Sequence, residues 1–230
     1  MGSGRAARQG SPGSRTGARE IVELLHNLDA ARIRENLERV RERAGPDVEI
    51  LAATKYIPAE EMEVLSAAGM ALVGENRAQD LAAKHAISGS SFTWDFIGNL
   101  QSRKVKQILP LVRLVHSVGS DSALAQLERH GRPETEILVQ VNVAGEEGKG
   151  GVKPSELAAF ISRCPVRVGG LSTMPPFADD PGASRPHFAK LAELAAEHDL
   201  ARLSMGTSQD WHVAVEEGAT IIRLGSVLYA

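Results

Sequence analysis

Eight short apolar runs recur along this chain, and a segment with the periodicity of an amphipathic helix separates each run from the next. Strands that alternate with helices in this way pair in parallel, because a parallel pair needs a crossover of a dozen or more residues. The pattern therefore predicts an α/β protein. The predicted strands are Glu49–Ala53, Ala71–Gly74, Thr93–Gly98, Arg113–Ser117, Glu136–Val143, Val166–Ser172, Arg202–Met205 and Thr220–Leu224.

An amphipathic segment also precedes the first strand. It starts at Glu20 and ends before Gly45, as one long helix with or without a break. Because it supplies the helix that a closed ring of eight β/α units would otherwise lack, we predict a single (β/α)8 TIM barrel with an extra N-terminal helix. The alternation alone leaves a doubly wound open sheet as the alternative. The other predicted helices are Pro58–Ala68, Arg77–Ala86, Ser102–Leu109, Ser122–Arg129, Pro154–Arg163, Arg185–Glu197 and Gln209–Glu217.

The domain organisation follows from length and local composition. With 230 residues, of which 43% are hydrophobic, the chain can bury one large core, and we assign residues 20–230 to the barrel. Residues 1–19 contain four arginines, five glycines and no acidic residue, a composition typical of a disordered basic tail. A nucleic-acid-binding arm or a transit peptide is the alternative, although nothing beyond the charge favours either.

The charge and the cysteine content of the chain argue against nucleic-acid binding, membrane binding, disulfide formation and metal binding. Outside the tail, 22 basic residues face 29 acidic ones, so we expect neither nucleic acid nor a membrane as a partner. The single cysteine, Cys164, excludes an intramolecular disulfide, and the histidines lack metal-ligand spacing, so no metal is expected. Since no apolar run approaches the ~20 residues that span a bilayer, and no signal-peptide pattern is present, we expect a cytoplasmic protein.

Polar and cationic residues follow the predicted strands, at the barrel face where such folds collect their chemistry. Lys55 follows the first strand, where aliphatic surroundings would favour the neutral amine that attacks an aldehyde. A surface lysine after a strand is the plainer alternative from position alone. The other strands end near Glu75-Asn76, Asn99, His116, Asn142, Met174, Ser204-Met205-Gly206 and Arg223-Leu224-Gly225-Ser226.

Loops that contain hydroxyl groups and glycines follow the last two strands. In barrels of this kind, the loops after strands seven and eight form the recurrent phosphate site. A lysine that forms an imine opposite such a site predicts an aldehyde that carries a phosphate, either pyridoxal 5′-phosphate (PLP) or a sugar phosphate. Arg223 favours PLP, because a guanidinium facing the pyridine nitrogen leaves that nitrogen unprotonated and the ring a poor electron sink.

Eight ordered segments together resemble the pyridoxal phosphate homeostasis proteins, the YggS/PROSC family. The match runs from about Leu24 to the C-terminus, and the ordered set is far more specific than any one segment. The segments are Ala52-Ala53-Thr54-Lys55, Gly74-Glu75-Asn76, Phe96-Ile97-Gly98-Asn99-Leu100-Gln101-Ser102, Val115-His116-Ser117-Val118, Gln140-Val141-Asn142, Gly169-Gly170-Leu171-Ser172-Thr173-Met174, Leu203-Ser204-Met205-Gly206 and Ile222-Arg223-Leu224-Gly225-Ser226.

The resemblance implies a barrel similar to the N-terminal domain of bacterial alanine racemase, with PLP as the cofactor. It implies that Lys55 carries PLP as an internal aldimine and that Arg223 faces the pyridine nitrogen. Family members have no established reaction and are thought to buffer or deliver PLP, so we expect a monomeric homeostasis protein that is not an enzyme and meets apo PLP-dependent enzymes transiently. The further cofactor-binding residues are Ser204, Gly206, Gly225 and Ser226 at the phosphate, Asn76 and His116 at the ring, and Met205, to which no part of the cofactor is assigned.

Two enzyme classes are the alternatives. A fold-type III PLP enzyme such as an amino-acid racemase needs a second acid/base, usually a tyrosine, opposite the cofactor lysine. The chain has only Tyr56 and Tyr229, and Tyr56 is expected to point away if Lys55 points inward. A Schiff-base aldolase would need a carboxylate beside the lysine. Glu75 is the candidate, and a local hydrogen bond is its plainer role.

A glycine-rich loop follows the fifth predicted strand. Residues 145–151 form a flexible crossing that would be able to fold over the mouth of the barrel. We hypothesise that Lys149 in this loop contacts the cofactor phosphate or a cofactor acceptor.

Overall fold

The computed structural model describes residues 24–230. The predicted basic tail, residues 1–19, lies outside the described residues and stays a prediction. Within the described range, eight strands form a closed barrel in the order of the sequence, and each strand is parallel to its neighbours. The strands are β1 (Glu49–Ala53), β2 (Leu72–Glu75), β3 (Thr93–Phe96), β4 (Leu114–Val118), β5 (Glu136–Gln140), β6 (Arg167–Ser172), β7 (Arg202–Thr207) and β8 (Ile221–Leu224).

Closure of the sheet decides between the two predicted architectures. β1 pairs with β8 through four consecutive Cα partners, from Glu49 opposite Ile221 to Ala52 opposite Leu224. The (β/α)8 barrel is therefore confirmed, and the open-sheet alternative is wrong. All eight predicted strands are present, and most boundaries differ by one or two residues.

Helices surround the barrel in the expected alternation. Several crossovers open with a short 3-10 turn, for example Ala59–Glu61 before α2 and Pro154–Glu156 before α6. The helices of the described range are α1 (Ala30–Ala44), α2 (Met62–Ala67), α3 (Ala78–Ser88), α4 (Val105–Ile108), α5 (Asp121–His130), α6 (Leu157–Ile161), α7 (Arg185–Glu197), α8 (Trp211–Glu216) and α9 (Ser226–Tyr229).

The first helix is shorter than its apolar periodicity predicts. It begins at Ala30, because the Asp29 carboxylate accepts the backbone N–H groups of Ala31 at 2.8 Å and Arg32 at 3.4 Å and so caps the helix there. Leu24 precedes the cap in non-helical backbone, with its side chain exposed. The expected start at Glu20 lies outside the described residues.

The core has two parts that follow the two faces of the sheet. The larger part packs the outer face of the strands against the helices. The smaller part fills the barrel interior, where Leu51, Leu114, Leu138 and Ile221 are each almost fully buried. Aliphatic residues close the lower interior in this way, so polar side chains gather above them at the carboxyl ends of the strands.

Two further properties concern residues 24–230 alone. No helix in this range is long and apolar enough to cross a membrane. In the same range, no three His, Cys, Asp or Glu side chains come together as a set that would hold a metal ion.

Candidate functional site

A cavity of about 1180 Å³ opens at the carboxyl ends of the strands. This is the face where barrels of this type place their chemistry, because the loops after all eight strands converge there. Of the predicted site residues, the structure places five on the cavity wall: Lys55, Asn76, Arg223, Gly225 and Ser226. The remaining wall residues are Leu25, Ala53, Tyr56, Ile97, Met174, Phe177, Asp179, Thr207, Ser208, Gln209 and Tyr229.

Lys55 lies in the turn that leaves β1. Its side chain is half-buried, and its Nζ lies 2.8 Å from the Tyr56 hydroxyl and 4.6 Å from the centre of the Tyr56 ring. The expectation that Tyr56 points away from Lys55 is therefore wrong. Strand alternation does not apply here, because β1 ends at Ala53 and both residues belong to the turn.

A buried ion pair supports this turn from below. Lys84 in α3 places its Nζ 2.5 Å from Glu75 Oε2 and 2.7 Å from the carbonyl oxygen of Thr54, the residue before Lys55. The second oxygen of Glu75 accepts the backbone N–H of Asn76 at 2.7 Å. Glu75 is fully buried, so its carboxylate serves the local structure and does not reach Lys55 Nζ as an aldolase carboxylate would.

Asn76 reaches the cavity because a neighbouring glycine lets two loops approach closely. A Cβ added to Gly98 would lie 1.8 Å from the Asn76 carbonyl oxygen. Only glycine permits this contact, since real Cβ atoms do not approach oxygen so closely. Gly98, after β3, therefore helps to position Asn76 on the cavity wall.

Arg223 supplies a cation at the base of the cavity. Its guanidinium donates to the Thr173 carbonyl oxygen at 2.7 Å and to the Ser204 hydroxyl oxygen at 3.1 Å. Among the described residues, no carboxylate lies within ion-pair distance of it. Burial lowers the pKa of Arg223 to about 10, so it stays charged at neutral pH. A buried cation with neutral partners can therefore face a ligand here.

His116 and Ser204 lie beneath Arg223 rather than on the cavity wall. His116 Nδ1 lies 2.8 Å from Ser204 Oγ, and His116 Nε2 lies 3.1 Å from Asp95 Oδ2. Both side chains are almost fully buried. Neither residue lines the cavity, so their predicted contacts with a cofactor ring and with a phosphate have no support from their positions. The two residues instead support Arg223 from below.

The protonation of this buried network follows from its donors and acceptors. Burial alone would raise the pKa of Asp95, but hydrogen bonds from His116 and Arg113 outweigh it and hold that pKa below its usual value. Burial lowers the pKa of His116, so the imidazole is neutral. Because a carboxylate only accepts, neutral His116 donates from Nε2 to Asp95 and accepts the Ser204 hydroxyl proton at Nδ1. The Ser204 oxygen is then free to accept from Arg223.

Two of the expected phosphate residues, Gly225 after β8 and Ser226 at the start of α9, border the cavity, and Ser208 after β7 is a further polar residue of its wall. Ser208 Oγ accepts the backbone N–H of Gly225 at 2.9 Å and that of Val227 at 3.4 Å. Two N–H groups therefore converge on one oxygen at the cavity. A Cβ added to Gly225 would have Ser208 Oγ at 4.0 Å as its nearest neighbour, so the space above this backbone is open.

Met205 and Gly206 do not reach the cavity wall. Met205 is fully buried in the core. Gly206 has a φ of +88°, and an added Cβ would lie 2.6 Å from the Ala214 Cβ. Gly206 is thus required for the turn and for the close approach of α8, and its assignment to phosphate contact is not supported by its position. The signal for Ser208 was present in the same Ser- and Gly-containing stretch.

Tyr229 is a wall residue that no motif indicated. It lies in α9, which follows β8 and packs against α1, and its hydroxyl donates to the Ala53 carbonyl oxygen at 3.1 Å. Burial raises the pKa of the phenol, so it stays protonated. Asn36 in α1 holds this helix in place through the carbonyl oxygens of Leu228 and Ala230, both at 3.0 Å.

The glycine-rich loop keeps its lysine away from the cavity. Lys149 pairs with Glu146 of the same loop. It is not among the wall residues of the cavity. The hypothesis that Lys149 contacts a cofactor phosphate therefore has no support from its position.

Known proteins with similar sequences share most of this chain. The family described as "Alanine racemase, N-terminal domain" matches residues 28–230. The pyridoxal phosphate homeostasis protein of Aquifex aeolicus is 38% identical over 216 residues, which cover 86% of this chain and 95% of the relative. The protein of the same name from Homo sapiens is 31% identical over 217 residues, which cover 83% and 79% of the two chains.

Solved structures agree with this grouping. PipY of Synechococcus elongatus PCC7942, solved with PLP bound, is 32% identical, with a TM-score of 0.75 over 86% of this chain and 100% of PipY. Alanine racemase from Corynebacterium glutamicum is 16% identical, with a TM-score of 0.68 over 88% and 61% of the two chains, a likeness that shows the fold alone. The family model matches residues 28–230, and the two relatives are 38% and 31% identical to this chain. The chain therefore belongs to the pyridoxal phosphate homeostasis proteins, within the alanine racemase N-terminal domain family.

Proposed function

We propose that this protein binds PLP covalently as an imine on Lys55 and takes part in PLP homeostasis by holding and releasing it. One observation carries the proposal: the Lys55 amine, the Arg223 guanidinium, and Ser208 and Gly225 from the loops after β7 and β8 border the same cavity. An amine, a buried cation and a pair of loops with serine hydroxyls match the aldehyde, the pyridine nitrogen and the phosphate of PLP. The solved structure of PipY with PLP bound supports this reading.

The residues present fit the cofactor group by group. Lys55 would hold the aldehyde carbon, and Arg223 would face the ring nitrogen. Ser208, Gly225 and Ser226 would hold the phosphate, because the two serine hydroxyls suit an anion and the missing Cβ of Gly225 leaves room for it beside them. When bound, PLP would supply a reactive aldehyde.

The electrostatics of Arg223 favour storage of the cofactor over carbanion chemistry. A guanidinium only donates hydrogen bonds, so the pyridine nitrogen facing it would have to accept one and would stay unprotonated. The ring would then stabilise a carbanion poorly. The relatives from Aquifex aeolicus and Homo sapiens are also named for pyridoxal phosphate homeostasis and not for a reaction. We therefore propose a role without turnover, in which a cytoplasmic monomer meets the apo forms of PLP-dependent enzymes transiently.

Spectroscopy of the purified protein tests the proposal. PLP titration should produce the yellow imine absorbance, and borohydride reduction followed by peptide mass analysis should place the adduct on Lys55. The variant Lys55→Ala should keep its circular dichroism and lose the imine absorbance, whereas the matched surface variant Lys149→Ala should keep both. A wild-type protein that takes up no PLP, or an adduct that persists in Lys55→Ala, would refute the assignment.

A transfer experiment tests the homeostasis role itself. PLP-loaded protein and free PLP at equal concentration are each mixed with an apo PLP-dependent enzyme, and recovery of that enzyme's activity is followed. We expect the loaded protein to restore activity. If the apo enzyme recovers no activity for as long as the loaded protein stays folded, the protein does not release PLP, and the proposed homeostasis role is contradicted.

A further inference from the structure

The Tyr56 hydroxyl is placed at the atom on which the proposed function depends. Its oxygen lies 2.8 Å from Lys55 Nζ, and the ammonium or amine sits 4.6 Å from the centre of the Tyr56 ring. In residues 24–230, no other side chain forms a hydrogen bond or ion pair with this Nζ. Tyr56 is therefore the one protein group in the described structure that is set to exchange a proton with Nζ directly.

The other acid/base groups nearby are committed to structural contacts. Both carboxylate oxygens of Glu75 are occupied, one by Lys84 and Thr54 and the other by backbone N–H groups. The Tyr229 hydroxyl donates to the Ala53 carbonyl oxygen. Neither group is free to serve Lys55 without breaking a buried hydrogen bond, which would cost free energy.

Tyr56 also has access to solvent protons. Its side chain is 43% exposed, so the hydroxyl can exchange with water while it contacts Nζ. Its backbone is held on both sides of the turn: the Tyr56 carbonyl oxygen accepts the Leu25 N–H at 2.8 Å, and Ile57 N–H donates to the Thr54 carbonyl oxygen at 2.9 Å. A fixed backbone with an exposed hydroxyl suits repeated proton transfer at a fixed atom.

We propose that Tyr56 is a catalytic residue for loading and release, and that its hydroxyl moves protons to and from Lys55 Nζ. This inference rests on the proposed function. When a neutral amine condenses with an aldehyde, the C–N double bond forms, and the two amine protons leave with the carbonyl oxygen as water. Release reverses each step by adding water. Both directions therefore need proton transfer at Nζ, and a phenol in contact with that atom provides it.

The variant Tyr56→Phe separates this role from packing, because it removes the hydroxyl and keeps the ring. Stopped-flow absorbance gives the rate of imine formation with PLP, and dilution into a trapping amine gives the rate of release. General acid–base catalysis contributes about 10²–10⁴-fold in enclosed sites. Because Tyr56 is exposed and water can substitute in part, we expect both rates to fall about 10-fold, with the equilibrium affinity nearly unchanged.

The variant Tyr56→His gives a readout that a structural role would not move. Imidazole titrates near ~6.5, so the pH profile of the loading rate should acquire a limb near that pH that is absent in wild type and in Tyr56→Phe. Melting curves check that wild type and both variants are folded. We expect both variants to fold, because Tyr56 is exposed and its side chain is not part of the core.

The outcomes distinguish the two proposals. If wild type forms no imine on Lys55, the proposed function fails. If wild type loads through Lys55 and Tyr56→Phe loads and releases at wild-type rates at every pH, the role of Tyr56 is refuted and the proposed function stands. A loss of affinity with an unchanged loading rate would make Tyr56 a binding contact and would also overturn its role in proton transfer.

Discussion

Lys84 Nζ and Glu75 Oε2 lie 2.5 Å apart in a region where both side chains are almost completely buried. The same Nζ donates to the carbonyl oxygen of Thr54, and the same carboxylate oxygen accepts the Thr54 hydroxyl at 2.9 Å. The pair thereby links α3 and β2 to the turn that carries Lys55. An ion pair in this position stabilises one geometry of the turn as long as both partners are present, because a buried charge without its partner is destabilising.

Removal of one partner of this pair should destabilise the fold. In Lys84→Met, the Glu75 carboxylate would stay buried without its cation, and we expect a loss of about 3–5 kcal/mol in the free energy of unfolding. Urea denaturation of the protein without PLP measures it. The matched control is Lys190→Met, which breaks an exposed pair with Glu193 and should leave the urea midpoint almost unchanged. A wild-type midpoint for Lys84→Met would contradict the structural role of the pair.

Substitution of Arg223 should weaken cofactor binding more than it weakens the fold. Arg223→Leu removes a buried cation that has only neutral partners, so the fold does not lose an ion pair. A hydrogen bond from a charged group is worth about 1.5–3 kcal/mol, which corresponds to a loss of affinity for PLP of roughly 10- to 100-fold. Absorbance titration gives the affinity, and melting curves monitor the fold. Unchanged affinity would show that Arg223 does not contact the ligand.

Gly206 should tolerate no side chain. Its φ of +88° and the 2.6 Å approach of an added Cβ to the Ala214 Cβ both oppose Gly206→Ala. We expect the free energy of unfolding to fall by at least about 1–3 kcal/mol, the cost of such a backbone conformation for a residue with a Cβ. Gly150→Ala is the control, because no atom lies within 4 Å of an added Cβ there. Equal stability of the two variants would show that α8 moves aside at no cost.

The buried His116–Asp95 pair should make the protein sensitive to acid. The pKa values of both groups are lower in the folded state than in the unfolded chain, whose reference values are ~6.5 for His and ~3.9 for Asp. The unfolded state therefore binds more protons as the pH falls. The stabilisation is fully present above pH ~6.5 and declines below it, first through His116 and at lower pH through Asp95.

Urea unfolding between pH 7.5 and pH 4 tests this dependence. His116→Asn should flatten the decline that begins below pH ~6.5, because the buried group that resists protonation is gone. His26→Gln, at an exposed position, should retain the slope of wild type. If the His116 variant keeps the full slope, other groups are responsible for it.

Local pattern predicted the secondary structure well. Each strand has an apolar run bounded by turn residues, and each crossover has helical periodicity, so the eight strands were located with small boundary errors. The start of α1 is the exception. The apolar periodicity begins at residues that precede Asp29, whereas the helix begins only after Asp29, because its carboxylate caps the helix there. Lys55, Arg223 and Gly225 lie on the cavity wall, as expected for residues at or just after the carboxyl end of a strand, and their roles toward a cofactor stay predictions.

The pattern of the chain was thus enough to place eight β/α units and the face at which their strands end, whereas the pairing of β1 with β8 settled the closure of the sheet into a barrel. Packing between elements determines which polar groups contact one another. The contact of Tyr56 with Lys55 depends on the turn after β1, and the burial of His116 and Ser204 under Arg223 depends on barrel closure. The Lys84–Glu75 pair likewise joins a helix to a strand across a turn. Such contacts arise from three-dimensional packing between elements, which the spacing of residues along one chain does not encode.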